Sequence, residues 1–141
     1  MRSLGTSPPL AVAAACGGRW RQICASLVLL IPGVVQLLHT DETADAVLLF
    51  FRAAAGGDMY RSLKLQPWDE ARLRDQVVVP LLAVLARLHS MGYVHRDIKP
   101  ENIFFAADGS LELGDFGLTI DQRRERPISR VGTTVAAISC P

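Results

Sequence analysis

The 141-residue sequence has few cysteines and no excess of either charge, and each shortage argues against a class of protein. Its three cysteines, Cys16, Cys24 and Cys140, include no closely spaced pair, which argues against a disulfide framework and a zinc site. Fifteen basic and fourteen acidic side chains give a net charge of +1, so no broad field attracts nucleic acid or an acidic membrane. We therefore expect a protein of a reducing intracellular compartment, cytoplasmic or nuclear, without a nucleic-acid partner.

The sequence also lacks a long uninterrupted apolar run. Its most apolar stretch, residues 23–38, is shorter than the roughly 20 residues of a membrane-spanning helix and is broken by Pro32-Gly33. We expect this stretch to form a buried helix and a strand, with no membrane partner; a membrane-tethered fragment is the alternative. Half of the residues are apolar, which is enough to build the core of one globular domain.

Hydrophobic periodicity divides the first part of the chain into short segments. Residues 1–18, rich in Ala, Gly, Ser and Pro, predict a flexible leader. Helical spacing predicts a helix over residues 19–30. The apolar runs 34–38 and 46–51 predict two buried antiparallel strands, separated by an acidic turn at Asp41-Glu42.

The second part of the chain predicts a long helix and a hairpin. Residues 69–92 have helical periodicity between an Asp cap and a Gly stop, and predict a mostly buried helix. Pro80 removes one amide donor within it, which predicts a kink at a cost of about 3 kcal/mol unless packing compensates. Two short apolar strands, 103–105 and 111–113, flank Asp108-Gly109, a strong hairpin signal.

Two motifs flank this hairpin. The segment His95-Arg96-Asp97-Ile98-Lys99-Pro100-Glu101-Asn102 fits H-R-D-x-x-x-x-N, and Asp115-Phe116-Gly117 follows the second strand. Each motif alone has little specificity, whereas both together are highly specific. On these residues the chain resembles the protein kinase family, and residues 123–133 resemble the activation segment of Aurora-like serine/threonine kinases.

The resemblance implies a role for each site residue. Asp97 would orient or deprotonate the attacking hydroxyl, and Lys99 would face the transferred phosphate. Asn102 and Asp115, at the entry and exit of the hairpin, would hold Mg²⁺, which prefers oxygen ligands. His95 would be structural. The implied activity is transfer of the ATP γ-phosphate to a serine or threonine hydroxyl of a protein substrate.

The resemblance also extends to the segment around residue 53, where its signal is less specific. Residues 53–63 resemble the kinase hinge and the turn after it. Phe51 would then lie at the back of the adenine pocket, and backbone groups from Arg52 to Ala54 would bind adenine. Asp58 would belong to the same ATP site. The alternative is an ordinary strand end followed by a loop.

A regulatory site is implied by the activation-segment resemblance. Ser129 falls where such kinases are phosphorylated, and phospho-Ser129 would pair with Arg96 and order the segment. The alternative is a solvated serine among arginines.

The chain departs from the kinase pattern at both ends. No G-x-G-x-x-G precedes the hinge, and the lysines Lys64 and Lys99 both follow it. Gln22 stands where the helix glutamate would be, and the Tyr-x-Ala-Pro-Glu pattern is missing after Thr134. We therefore expect a kinase truncated at both ends, with a catalytically inactive pseudokinase or interaction module as the alternative.

The expected fold is α+β, an incomplete two-lobe kinase fold. Residues 19–52 would form a partial small lobe and the start of the hinge, and residues 53–141 a partial, mainly helical large lobe. Several Leu and Val side chains of the long helix would lack their usual cover, at roughly 1.5–3 kcal/mol each. We expect the isolated chain to be marginally stable or to aggregate.

Overall fold

The computed structural model describes residues 10–15, 31–44 and 47–124. Within these ranges the fold is mixed α+β, with one three-stranded sheet, two two-stranded sheets and a long helical segment. This confirms the predicted fold class. The helix predicted over residues 19–30 lies outside the described residues.

The three-stranded sheet has the strand order β1-β3-β2, and both pairings are antiparallel. Its strands are β1 (Leu10–Ala15), β2 (Leu37–Glu42) and β3 (Val47–Arg52). β1 differs from the flexible leader predicted for this part of the chain. An apolar run can add to the open edge of β3, whose N–H and C=O groups would otherwise lack partners.

The helical segments lie between β3 and the hairpin. Helix α1 (Met59–Leu65) follows the connector 53–58 and was not predicted. The long segment that was predicted spans residues 70–90 in three continuous pieces. These pieces are α2 (Glu70–Leu73), a π-helical turn (Arg74–Val78) and α3 (Val79–Ser90).

The ends of the long segment confirm the predicted helix signals. The Asp69 carboxylate accepts a hydrogen bond from the Arg72 N–H at 2.7 Å, and Gly92 follows the segment with a φ of 83°. Pro80 is the second residue of α3, directly after the π-helical turn. The donor that proline lacks therefore falls where the two hydrogen-bond patterns meet, and the helix continues.

The prediction that this helix is mostly buried is wrong. Val77, Val84 and Leu88 are buried, with Leu88 0% exposed. By contrast, Val79 and Leu82 are 57% and 60% exposed. The helix is amphipathic because only the face that packs on the rest of the described fold is covered.

Two further sheets surround the central loops. β5 (Ile103–Phe105) and β6 (Leu111–Leu113) form the predicted antiparallel hairpin. β4 (Tyr93–Val94) pairs with β7 (Ile120–Asp121) through two residue pairs. A 3₁₀ turn (Pro100–Asn102) precedes β5, and another (Phe116–Leu118) precedes β7.

Backbone bonds connect the first sheet to the hairpin. Val35 N–H donates to Leu113 O at 2.9 Å, and Leu113 N–H donates to Gly33 O at 2.8 Å. These bonds draw residues 33–35 out of the sheet, so β2 begins at Leu37 rather than at residue 34. Asp41 and Glu42 consequently lie within β2 and not at its turn.

No helix among the described ranges is long and apolar enough to cross a lipid bilayer. The apolar stretch discussed above, residues 23–38, is described only from residue 31 onward.

Candidate functional site

The loop between β4 and β5 is held together by three of the predicted site residues. Asp97, which is 5% exposed, accepts hydrogen bonds at Oδ2 from Lys99 Nζ at 2.6 Å and from Asn102 Nδ2 at 3.0 Å. Asn102 Nδ2 also donates to the Asp97 backbone carbonyl at 2.9 Å. A carboxylate, an ammonium group and an amide are therefore fixed side by side.

The charges of this loop reach the residue beyond the hairpin. The hydrogen bond to Asp97 raises the pKa of Lys99, and the negative charges of Asp97, Asp115 and Glu101 raise it further. Asp115 therefore lies within electrostatic range of Lys99, the residue that pairs with Asp97. That Asp97 and Asp115 meet at one metal site stays a prediction.

His95 connects the Asp97 loop to Gly114, the residue before Asp115. It is 1% exposed; its Nδ1 lies 3.3 Å from the Asp97 backbone nitrogen and its Nε2 lies 2.9 Å from Gly114 O. Since a peptide N–H only donates, Nδ1 accepts, and Nε2 carries the proton that is donated to Gly114. Burial lowers the pKa of His95, which keeps this neutral tautomer. These contacts fit the structural role expected for it.

Asp115 emerges from the hairpin in a left-handed turn. Its φ is 53° and its ψ is 73°, and its Oδ1 accepts a hydrogen bond from the Gly117 N–H at 3.1 Å. One residue earlier, Gly114 N–H donates to Asn102 O at 2.9 Å. One predicted magnesium ligand, Asn102, is thus bonded through its backbone to the residue that precedes the other, Asp115.

Gly114 was not predicted as part of the site. A Cβ atom there would lie 2.7 Å from the Phe104 ring and 3.3 Å from Val35, so the position has no room for a side chain. The signal in the sequence was a glycine set between an apolar strand and Asp115. Because it has no side chain, its backbone can pack against Phe104 and Val35 while its N–H donates to Asn102 O.

The oxygen atoms of this site fit Mg²⁺. Asn102 uses Nδ2 for both bonds to Asp97, which directs its carbonyl Oδ1 away from that residue. Asp115 is exposed and offers a carboxylate. Mg²⁺ takes one or two such protein oxygens and completes its shell with water and phosphate. Within the part of the chain that is described, no group of three or more His, Cys, Asp or Glu side chains could hold a metal.

The predicted adenine-binding segment lies beside the hairpin. Gly56 N–H donates to Phe105 O at 2.8 Å, and Phe105 N–H donates to Gly57 O at 2.9 Å. These two bonds fasten the connector 53–58 to β5, the strand that begins directly after Asn102. The connector 53–58 consequently lies next to the strand that follows the loop of Asp97, Lys99 and Asn102.

Some of the predicted adenine contacts are already used by the fold. Arg52 N–H donates to Gln36 O at 2.8 Å, and Ala54 O accepts from Gly57 N–H at 3.1 Å. Among the described contacts, the Arg52 N–H and the Ala54 carbonyl are therefore occupied within the fold, and adenine binding by this segment stays a prediction. Phe51 is half-buried and packs against the core.

Asp58 has a local structural partner. Its Oδ1 accepts a hydrogen bond from the Arg61 N–H at 2.8 Å and caps helix α1. Only its second carboxylate oxygen remains for a ligand.

The predicted regulatory pair is half described. Arg96 has a φ of 68°, and its Nε donates to Leu118 O at 2.6 Å, close to the Asp115 turn. Ser129 lies outside the described residues, so its pairing with Arg96 stays a prediction.

Sequence relatives agree with the motif reading. The protein kinase domain profile matches residues 20–136. Aurora/IPL1-related protein kinase 2 of Caenorhabditis briggsae is 29% identical over 102 residues, which cover 72% of this chain and 34% of the relative. 3-phosphoinositide-dependent protein kinase 1 of Arabidopsis thaliana is 34% identical over 89 residues, which cover 61% and 18%. Serine/threonine-protein kinase DCLK2 of Mus musculus is 38% identical over 91 residues, which cover 62% and 12%.

These relatives limit what can be said of the kinase subtype of this chain and show what share of their length it covers. Differently named serine/threonine kinases match at similar identity, so the Aurora-like assignment is one of several. The chain spans about a third or less of the length of each of these relatives.

Proposed function

The chain belongs to the protein kinase family, and from this premise we propose that it binds ATP with Mg²⁺ and phosphorylates serine or threonine hydroxyls of a protein substrate. The observation that carries the proposal is the bonded set of Asp97, Lys99 and Asn102, linked by one backbone hydrogen bond to the residue before Asp115. Phosphoryl transfer requires a metal-binding oxygen pair, a hydroxyl-orienting carboxylate and a cation at one place.

Each residue has a part in the proposed reaction. Asn102 Oδ1 and the Asp115 carboxylate would hold Mg²⁺, which supplies charge neutralisation at the phosphates when bound. Asp97 orients the substrate hydroxyl and accepts its proton as the oxygen–phosphorus bond forms. Lys99 balances the charge on the transferred phosphoryl group while the bond to ADP breaks. The short bonds at Asp97 Oδ2 hold this carboxylate in place before substrate arrives.

The nucleotide would lie between the connector and the hairpin. In this proposal Phe51 closes the back of the adenine pocket and the backbone of residues 52–54 faces the base. The bonds already made by Arg52 and Ala54 favour Ala53 and the N–H of Ala54 as the contacting groups. Asp58 would approach the ribose with the oxygen that it does not use as a helix cap.

Phosphorylation of Ser129 is proposed as the switch of an Aurora-like enzyme. Arg96 Nε already donates a hydrogen bond to Leu118 O, next to the Asp115 turn. Binding of the Ser129 phosphate to Arg96 would therefore be coupled to the position of that turn. A Ser129→Ala protein with unreduced activity would eliminate this switch.

A non-catalytic pseudokinase is the second candidate. It is favoured by the position of both lysines after the connector, which leaves none for the usual phosphate contact of the small lobe. Such a protein would bind nucleotide or a partner without transferring phosphate.

Transfer of label from γ-labelled ATP to a general protein substrate distinguishes the candidates, using the full natural gene product. Asp97→Asn should reduce the rate at least about a hundredfold, since it removes a positioned general base. Asp108→Asn, which changes an exposed aspartate of the hairpin loop, should leave the rate unchanged. Equal rates for wild type and Asp97→Asn would overturn the kinase proposal in favour of the second candidate.

A further inference from the structure

A second charged cluster lies at the end of β7, apart from the predicted site. Arg123 Nε and Nη2 donate to the two carboxylate oxygens of Asp121, both at 2.8 Å. The backbone N–H of Arg123 also donates to Asp121 Oδ1, at 3.0 Å. This parallel two-bond geometry is the strongest form of an arginine–carboxylate pair. We call this pair, with Tyr93, the β7 clamp.

The clamp spans both strands of the smallest sheet. Asp121 is 7% exposed and pairs in register with Tyr93 of β4, which is 8% exposed. The guanidinium of Arg123 lies 5.4 Å from the centroid of the Tyr93 ring, within range of a cation–π contact. The arginine therefore contacts both strands, one through its charge and one through the ring.

Gly92 leaves room for the Arg123 side chain because it has no side chain of its own. A Cβ at this glycine would lie 3.0 Å from Arg123 Nε and 3.2 Å from its Cδ, and the φ of 83° also favours glycine. Gln122 N–H donates to Gly92 O at 2.8 Å. The turn after β7 is thus fastened to the turn between α3 and β4.

The position of the clamp connects it to the site. β4 runs directly into His95 and the Asp97 loop, whereas β7 begins five residues after Asp115. The two strands share only two residue pairs, which is a marginal amount of sheet. The β4–β7 pairing therefore acts together with the bonds from Gly114 to Asn102 and from His95 to Gly114, which tie the residue before Asp115 to the Asp97 loop.

We propose that Arg123 is a positioning residue: by joining Asp121 to Tyr93 it aligns the Asp115 turn with the Asp97 loop, so that Asn102 and Asp115 can hold one Mg²⁺. This inference rests on the proposed function. An ordinary surface ion pair contributes little because both groups are solvated and mobile. The clamp differs because the Asp121 side chain is only 10% exposed, and because Arg123, although 63% exposed, makes two parallel hydrogen bonds to it and lies 5.4 Å from the Tyr93 ring centroid.

Two substitutions at Arg123 and one matched control test the clamp in the full natural gene product. Arg123→Ala removes the whole side chain. Arg123→Lys keeps the charge but lacks the planar fork, so it tests the geometry in a protein that should still fold. Arg124→Ala is the control, because it removes the same charge at the neighbouring residue. The Arg124 Nε lies 3.8 Å from the Asp121 carboxylate, and the Arg124 side chain is 71% exposed.

Two measurements separate positioning from general stability. The first is hydrogen exchange of the amides of residues 117–122 without nucleotide. The second is the Mg²⁺ concentration that half-saturates ATP binding. Both Arg123 variants should speed the exchange and raise the half-saturating Mg²⁺ by about tenfold, the lower end of what loss of a supporting group costs a metal site. The control should match the wild type in both.

Unchanged exchange in Arg123→Lys, or equal effects of Arg123→Lys and Arg124→Ala, would overturn the positioning role. If the wild type binds no ATP at any Mg²⁺ concentration, the proposed function fails. The exchange rates then decide the clamp on their own, because they need no bound nucleotide.

Discussion

At the residue scale, two motif residues have backbone conformations that non-glycine residues rarely adopt. Arg96 has a φ of 68° and Asp115 a φ of 53°, a region that costs of the order of 1–3 kcal/mol. Local bonds hold both: Arg96 Nε bonds Leu118 O, and Asp115 Oδ1 caps its own turn. This strain lies at one residue of the proposed metal site, Asp115, and one of the proposed regulatory pair, Arg96, and the surrounding contacts enforce it.

His95 gives a pH dependence of stability at this scale. Burial lowers its pKa below the ordinary value of 6.5, so between the folded and unfolded pKa values the unfolded chain binds more protons. The free energy of unfolding should therefore be highest above about pH 6.5 and fall as the pH drops below it. Chemical denaturation from pH 5 to pH 8 measures this slope.

His95→Gln should flatten that slope. His89→Gln, at an exposed position of α3, should preserve it. A wild-type slope retained in His95→Gln would show that another group is responsible.

At the element scale, local signals predicted the hairpin and the ends of the long helix but not the contacts between elements. Asp108-Gly109 and Asp69 act on their immediate neighbours, so their effect can be read from the sequence. The start of β2 could not, because it depends on bonds between Val35 and Leu113, which lie far apart in the chain. The π-helical turn Arg74–Val78 likewise has no local signature other than Pro80 after it.

The candidate site likewise has parts that local sequence motifs predicted and parts that they did not. The motif letters placed Asp97 and Asn102 in one site, and these two residues are hydrogen-bonded to each other. That Asp115 joins them across the hairpin stays a prediction. Gly114 and the β7 clamp were not predicted, because their importance depends on packing against Phe104 and Tyr93. Pairwise contacts of this kind leave no periodic pattern.

Two substitutions at Asp58 separate its structural role as the N-cap of α1 from its proposed role in binding ATP. Asp58→Ala should lower the free energy of unfolding by about 1 kcal/mol, because it removes the N-cap of a seven-residue helix. Asp58→Asn should retain most of that stability, since Asn caps nearly as well. Thermal denaturation of both variants measures the difference.

The same pair of variants tests the ATP contact. If the Asp58 carboxylate binds the ribose, Asp58→Asn should weaken ATP binding although it preserves stability. Wild-type ATP affinity in Asp58→Asn would remove Asp58 from the proposed site and leave it as a cap.

At the scale of the whole molecule, an apolar face of the long helix is open. Val78, Val79 and Leu82 are 43%, 57% and 60% exposed, on a segment whose opposite face holds the core residue Leu88. Exposed apolar side chains in such a patch favour association between molecules. This patch supports the prediction of marginal stability or aggregation for the isolated chain.

Leu82→Lys should reduce self-association of the isolated chain without unfolding it, because this side chain is 60% exposed. Leu88→Ala, at a 0% exposed position, should instead cost about 2–5 kcal/mol of stability. Sedimentation velocity combined with circular dichroism measures both effects. A monomeric wild-type chain with a sharp, reversible unfolding transition would contradict this prediction.

The central claim is that an amide and a carboxylate oxygen at the two ends of the hairpin hold Mg²⁺ beside ATP. Calorimetric titration of ATP in the presence and absence of Mg²⁺ tests it most directly, with wild type, Asp115→Asn and the control Asp108→Asn. We predict tight binding that depends on Mg²⁺ in the wild type and the control, and loss of that dependence in Asp115→Asn. Wild-type Mg²⁺-dependent affinity in Asp115→Asn would contradict the account.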